Sequence, residues 1–174
     1  IRPISSIKAL LAESFATFDA FAFIGALGIC VRSLAPHLAD KRTDPAVVNL
    51  DEAGRHVQSV LSGHLGGANA LARRLAHALG AEPVITTASD VQELWSLDLL
   101  ARTYGWTPSA SPDLNAVIAR FVNRRPTALL LEVRDRGTAV LERSRPEHVT
   151  VFQRYEDIDF TRFELLIAVT YRQL

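Results

Sequence analysis

The sequence predicts an α/β protein with a mainly parallel sheet flanked by helices, followed by a second, smaller α/β domain. Short apolar runs alternate with stretches of helical apolar spacing, as in sheets crossed by helices. The run 20–24 is apolar at every position, which is typical of a strand buried on both faces. A stretch rich in glycine, proline and serine, 105–112, separates two series of elements. We therefore predict an N-terminal domain over 1–108 and a smaller domain over 109–174.

The predicted first domain alternates helices and strands. Gly54 lies between two strand-like runs, which predicts a hairpin. Pro36 ends one helical stretch, and Gly80 follows the most amphipathic one, as a residue beyond a helix C-terminus often does. The helices are predicted over 5–15, 25–35, 68–79 and 91–104, and the strands over 20–24, 46–50, 56–61 and 83–85.

The predicted second domain contains a helix over 113–122 and strands over 128–133, 149–152 and 164–169. It carries no stretch rich in histidine or glycine. We interpret His148, beside one of these strands, as a residue without a functional role.

Charge and cysteine content exclude several classes of protein. The formal net charge is zero, so no strong attraction to nucleic acid or to a membrane surface is expected. The single cysteine, Cys30, cannot form a disulfide within the chain, and its apolar neighbours predict a buried structural thiol. No apolar run reaches the roughly 18 residues of a membrane span. We therefore expect a cytoplasmic protein.

The most distinctive stretch is Ser62-Gly63-His64-Leu65-Gly66-Gly67-Ala68-Asn69, between a predicted strand and the amphipathic helix. Its glycines allow a tight turn with uncovered N–H groups. The helix N-terminus behind them adds unpaired donors and a partial positive charge. This combination predicts a site for a carboxylate or phosphate.

Several standard motifs do not fit this stretch. It lacks the lysine of a Walker loop and the spacing of the dinucleotide fingerprint, and no Gly-x-Ser-x-Gly motif occurs. His64 has no His or Cys at a metal-site spacing. A second polar patch, 86–90, follows the predicted strand 83–85, where parallel sheets bind ligands. The residues alone thus predict one polar, anion-binding site, which leaves a generic phosphate- or nucleotide-binding domain open.

Four blocks of the sequence, read as strings, are distinctive: 25–37, 40–48, 61–69 and 83–90. In this order the four blocks resemble the CbiG-type cobalt-precorrin-5A hydrolases of anaerobic cobalamin biosynthesis. The resemblance is strong over 20–92, and the part from 113 looks like that family's more variable central region. Ser89 stands where a threonine is usual, and the family's C-terminal glycine- and cysteine-bearing motif is not found in these residues.

The resemblance implies a reaction on a cobalt tetrapyrrole. The ring lactone would be opened and acetaldehyde released, which gives cobalt-precorrin-5B. The cobalt would be carried by the substrate, so no cofactor or metal held by the protein is expected. A fused or associated precorrin methyltransferase is a possible partner, whereas nucleic acid and membrane are not expected. The alternative is a non-catalytic tetrapyrrole-binding module acting with such a methyltransferase.

The resemblance also suggests roles for individual residues. His64 is the candidate base, since its reference pKa of about 6.5 suits proton transfer near neutral pH. Asp90 or Asp44 would orient it or act in its place. Structural roles compete: loop bracing for His64, and capping for Asp90, Asp44 and Asn69. The candidate substrate-binding residues are Arg32, His37, Lys41, Ser62, Gly63, Gly66, Gly67, Asn69, Thr86 and Thr87.

Overall fold

A computed structural model describes residues 6–109 and 113–172 and divides into two compact units, Ile1–Val91 and Gln92–Leu174. The boundary therefore lies before the position predicted at 108. The reason is that the helix predicted to close the first domain contributes Leu97, Leu100 and Tyr104 to the core of the second unit. Residues 110–112 of the predicted linker lie outside the described residues.

The first unit contains a four-stranded sheet in the order β1-β2-β3-β4, formed by Ala20–Ile24, Ala46–Leu50, His56–Leu61 and Glu82–Val84. β1 runs parallel to β2, and β4 runs parallel to β3. β2 and β3 are antiparallel, which confirms the predicted hairpin, and Gly54 in its turn has a φ of 63°. The carboxyl ends of β3 and β4 consequently lie together, at the same edge as the start of β2.

Helices flank both faces of this sheet. Val47 packs in the cluster that contains α1 (Ile7–Ser14) and α2 (Leu27–Leu34), whereas Val48 packs against α3 (Ala68–Leu79). Because successive residues of a strand point to opposite faces, α3 lies on the face opposite α1 and α2. Cys30, on α2, is buried as predicted, and burial raises the pKa of its thiol.

β1 lies at the edge of the sheet, and the prediction that it is buried on both faces is wrong, because the residues of one face are exposed. Phe21 and Phe23 pack toward α1 and α2, but Ala22 is exposed and Ile24 is 74% exposed. α3 packs over β2, β3 and β4 and leaves this face of β1 uncovered within the described residues.

The remaining elements are α4 Ala88–Val91, α5 Leu97–Tyr104, α6 Leu114–Val122, α7 Arg136–Arg143, β5 Thr127–Leu131, β6 Val149–Phe152 and β7 Leu165–Val169, with short 3-10 helices at Ala35–His37, Tyr155–Asp157 and Phe160–Arg162. The second unit contains a parallel sheet in the order β6-β5-β7, with β5 buried throughout.

Two helices differ from the prediction. The helix predicted over 91–104 is interrupted, because α4 ends at Val91, Glu93 has a φ of 56°, and α5 begins at Leu97. Helix α7 was not predicted, and it begins with a capping box between Asp135 and Thr138.

The helices within 6–109 and 113–172 are all too short or too polar to cross a lipid bilayer.

Candidate functional site

The glycine-containing loop after β3 is folded tightly upon itself. Ser62 has a φ of 55°, an unusual value for a residue with a side chain. A Cβ at Gly66 would lie 2.4 Å from the Cβ of Ser62, and a Cβ at Gly63 would lie 2.8 Å from Oδ1 of Asn69. These two glycines are therefore required by close packing within the loop.

The first N–H groups of α3 are already occupied by this loop. The N–H groups of Gly67, Ala68 and Asn69 donate to the carbonyl oxygens of His64, Ser62 and Gly63 at 3.0, 3.1 and 3.0 Å. The sequence predicted that the helix N-terminus and Gly67 would offer donors to an anion. In this conformation these three donors instead hold the loop on the helix.

The carboxylate of Asp90 is the centre of the polar site. Its Oδ2 accepts hydrogen bonds from Nε2 of His64 and Nδ2 of Asn69, both at 2.9 Å, and from Oγ1 of Thr87 at 2.5 Å. Its Oδ1 accepts from a guanidinium nitrogen of Arg73 at 2.7 Å. The structure thus joins the loop after β3, helix α3 and the segment after β4 at one carboxylate.

Asp90 is ionised at neutral pH. Burial opposes its ionisation, but hydrogen bonds from Thr87, Arg73 and His64 outweigh burial and lower its pKa to about 2. An ionised carboxylate only accepts hydrogen bonds, so the hydrogen of the contact with His64 belongs to Nε2. In neutral His64 the lone pair then lies on Nδ1. This geometry suits His64 to accept a proton and Asp90 to orient it.

Asn69 holds the network together from within the protein. It is 4% exposed, and its amide nitrogen also contacts Oγ1 of Thr87 at 3.0 Å. Its amide oxygen accepts a hydrogen bond from Oγ of Ser59 at 2.6 Å. The competing role of Asn69 as a helix cap is excluded, because Gly67 occupies the N-cap position of α3.

Three members of this network were not predicted as site residues. Oγ of Ser89 lies 3.2 Å from Nε2 of His64, and Ser59 and Arg73 make the contacts given above. Arg73 follows Asn69 by four positions, so the two share one face of α3. That spacing was the sequence signal that could have identified Arg73. For Ser59 the only signal was that it is a polar residue in an apolar strand.

Asp44, predicted as an alternative partner of His64, is used within its own loop. Its carboxylate accepts the backbone N–H groups of Ala39 and Asp40, at distances of 3.1 to 3.3 Å. Its carbonyl oxygen accepts from Oγ of Ser62 at 2.8 Å, which fixes the start of the glycine loop. The capping role that competed with catalysis is therefore the role that the structure shows for Asp44.

The other predicted substrate-binding residues lie on the segments before β2 and after β4. Arg32 is exposed on α2, where its guanidinium lies 3.6 Å from the position of a Cβ at Gly28. The ring of His37 packs against Phe15, with 5.7 Å between ring centroids. Lys41 and Thr86 are exposed.

Within the described ranges, no three His, Cys, Asp or Glu side chains come together as a metal site.

Comparison with known proteins places this chain in a family. The family models "Cobalamin synthesis G N-terminal" and "Cobalamin biosynthesis central region" match residues 9–90 and 95–174. A cobalt-precorrin-5A hydrolase of Priestia megaterium is 38% identical over 169 residues, which cover 97% of this chain and 45% of that protein. A cobalt-precorrin-5A hydrolase of Salmonella typhimurium is 63% identical over 89 residues, which cover 51% of this chain and 25% of that protein.

A solved structure supports the fold. The crystal structure of a cobalamin biosynthesis protein G homologue from Sulfolobus solfataricus matches 91% of this chain and 47% of that chain, with a TM-score of 0.51 and 20% sequence identity. The present chain spans less than half the length of these relatives. The resemblance drawn from the four sequence blocks is confirmed, and the chain belongs to the CbiG-type cobalamin biosynthesis proteins, of which it carries the N-terminal and central regions.

Proposed function

We propose that this chain hydrolyses cobalt-precorrin-5A, opening the ring lactone and releasing acetaldehyde. The observation that supports the proposal best is the contact of 2.9 Å between Nε2 of His64 and the ionised carboxylate of Asp90. The names of the relatives supply the substrate. The site lies beyond the carboxyl ends of β3 and β4, which is where α/β sheets place ligands.

In the first step, Nδ1 of His64 takes a proton from a water molecule that attacks the lactone carbonyl carbon. The carbon–oxygen bond of the lactone then breaks, which leaves a carboxylate and a free hydroxyl on the two-carbon fragment. Asp90 stabilises the imidazolium through the Nε2 hydrogen bond. General base catalysis of this kind contributes about 100- to 10,000-fold in rate.

Before the second step, His64 releases its proton to solvent; Nδ1 then accepts the proton of the freed hydroxyl as the bond between the hydroxyl-bearing carbon and the macrocycle breaks. The two-carbon fragment leaves as acetaldehyde, and the electron pair of the broken bond remains on the macrocycle. The cobalt arrives with the substrate in this proposal, and the residues of the chain only move protons and orient the ring.

The test is anaerobic incubation of the chain with cobalt-precorrin-5A, with acetaldehyde measured over time. His64→Ala is compared with His77→Ala, which replaces an exposed histidine of α3 by the same residue. We expect release by the native chain and by His77→Ala, and a loss of at least about 100-fold in folded His64→Ala. Equal rates in the two variants would remove His64 from the role of base.

The alternative is a non-catalytic tetrapyrrole-binding module that acts with a fused or associated methyltransferase. Tight binding of the tetrapyrrole by the native chain, without acetaldehyde, would support this module and contradict the hydrolase.

A further inference from the structure

Arg73 lies beside the candidate base and has no role in the reaction described above. Its guanidinium binds Oδ1 of Asp90 at 2.7 Å, and His64 binds Oδ2 of the same carboxylate at 2.9 Å. The guanidinium and the imidazole are thus separated only by the width of one carboxylate and two hydrogen bonds. A group bound by Arg73 is therefore held close to His64.

The burial of the two partners differs in a way that points to a ligand. The Asp90 side chain is 17% exposed, whereas the Arg73 side chain is 52% exposed. A guanidinium has five N–H donors, and among the described residues only one hydrogen bond of Arg73 is found, the one to Asp90. Most of the N–H donors of Arg73 are therefore accessible to a group that approaches from solvent.

The charge of the cluster favours an anion. The negative charge of Asp90 balances Arg73 alone, so protonation of His64 during the reaction gives the cluster a net positive charge. The N–H groups of Gly67, Ala68 and Asn69 at the start of α3 do not provide this attraction, because the glycine loop occupies them. A guanidinium matches a carboxylate with two parallel N–H···O bonds, a geometry that lysine cannot reproduce.

We propose that Arg73 binds a carboxylate of the ligand and so holds the reacting group beside His64. The inference rests on the proposed function only for the identity of that ligand, a tetrapyrrole with carboxylate arms. Asp90 then has two partners to position: His64 for proton transfer and Arg73 for binding.

The first experiment uses acetate as the probe and does not depend on turnover. Sodium acetate is titrated into the full chain at constant ionic strength, with sodium chloride as the reference, and the side-chain NMR signals of Arg73 and His64 are followed. We expect saturable shifts with acetate in the native chain and in Arg74→Gln, an exposed neighbour on the same helix. We expect about tenfold weaker binding, or none, in Arg73→Gln. Equal acetate binding by Arg73→Gln and the native chain would overturn the proposal.

The second experiment separates binding from positioning. With cobalt-precorrin-5A we expect KM to rise about tenfold or more in Arg73→Gln and less in Arg73→Lys, with kcat changed by less than about threefold. A fall in kcat at unchanged KM would assign Arg73 to support of Asp90 alone and overturn the proposal. If the native chain releases no acetaldehyde, the proposed function fails while the acetate titration still decides the role of Arg73.

Discussion

Two partly buried histidines, one in each unit, are held in opposite ways. His64 donates a hydrogen bond to an ionised carboxylate and contacts Oγ of Ser89. His148 packs against Phe121, with 4.9 Å between ring centroids, and neither of its ring nitrogens has a hydrogen-bond partner in the described part of the chain. Burial and the nearby charge of Arg124 lower the pKa of His148.

The comparison shows what a histidine needs for proton transfer. An ionised partner, the carboxylate of Asp90, accepts the hydrogen bond of Nε2 and so fixes the orientation of the His64 ring. Burial of His148 and the nearby charge of Arg124 disfavour the protonated form of its ring. We infer that His64 is placed for chemistry, and that His148 contributes its ring to the packing of the second unit.

The largest expected effect comes from Asp90→Asn. The amide is neutral and cannot replace an ionised acceptor for His64 and Arg73, so acetaldehyde formation should fall about 100-fold or more. The first unit should also lose about 2 kcal/mol of unfolding free energy, measured by urea titration. The matched change in the other unit, His148→Gln, should alter the rate less than about twofold. A native rate in Asp90→Asn would show that His64 does not depend on this carboxylate.

A smaller effect is expected from Gly66→Ala, which tests whether the loop geometry carries the His64 site. The new Cβ would lie 2.4 Å from the Cβ of Ser62, so the loop must shift at a cost of about 2 kcal/mol. Gly28→Ala is the control, because its nearest neighbour is 3.6 Å away and alanine favours the helix by up to about 1 kcal/mol. Thermal unfolding of both variants measures the difference, and equal stability would mean that the loop is not tightly packed.

The smallest effect is a pH dependence that separates the two regions. The pKa of His148 is lower in the folded chain than the unfolded value of about 6.5, so the unfolded state binds the proton first as pH falls. The second unit should therefore lose stability as pH falls through about 6.5, and His148→Leu should not show this loss.

Asp90 behaves in the opposite sense, since its folded pKa of about 2 lies below the unfolded value of about 3.9. Its contribution to the first unit is complete above about pH 4 and is lost only as pH falls toward 2. Hydrogen exchange of the two units against pH measures both effects. If the first unit lost stability at a higher pH than the second unit, this order would be contradicted.

Sequence alone predicted much of the fold and part of the site. The alternation of apolar runs, the Gly54 hairpin and the amphipathic helix α3 follow from local periodicity and turn chemistry, and the structure confirms them. The exposure of β1 was not predictable in this way, because an apolar run does not reveal which of its faces a helix will cover.

The candidate site was likewise predicted only in part from the sequence. The residues near His64 in sequence were found through the glycine loop, and Asp90 through the polar segment after β4. The occupation of the α3 N–H groups depends on which way the loop folds, and the place of Arg73 depends on the pairing of β3 with β4. Both features depend on tertiary structure, so residue spacing alone could not predict them.

The most direct test of the His64–Asp90 pair is the NMR spectrum of the His64 ring nitrogens at about pH 8, where an unperturbed imidazole is neutral. We expect a protonated Nε2 and an unprotonated Nδ1 in the native chain, and a mixture of both tautomers in Asp90→Asn. An unprotonated Nε2 in the native chain would contradict the orientation of His64 by Asp90, and with it the assignment of Nδ1 as the proton acceptor.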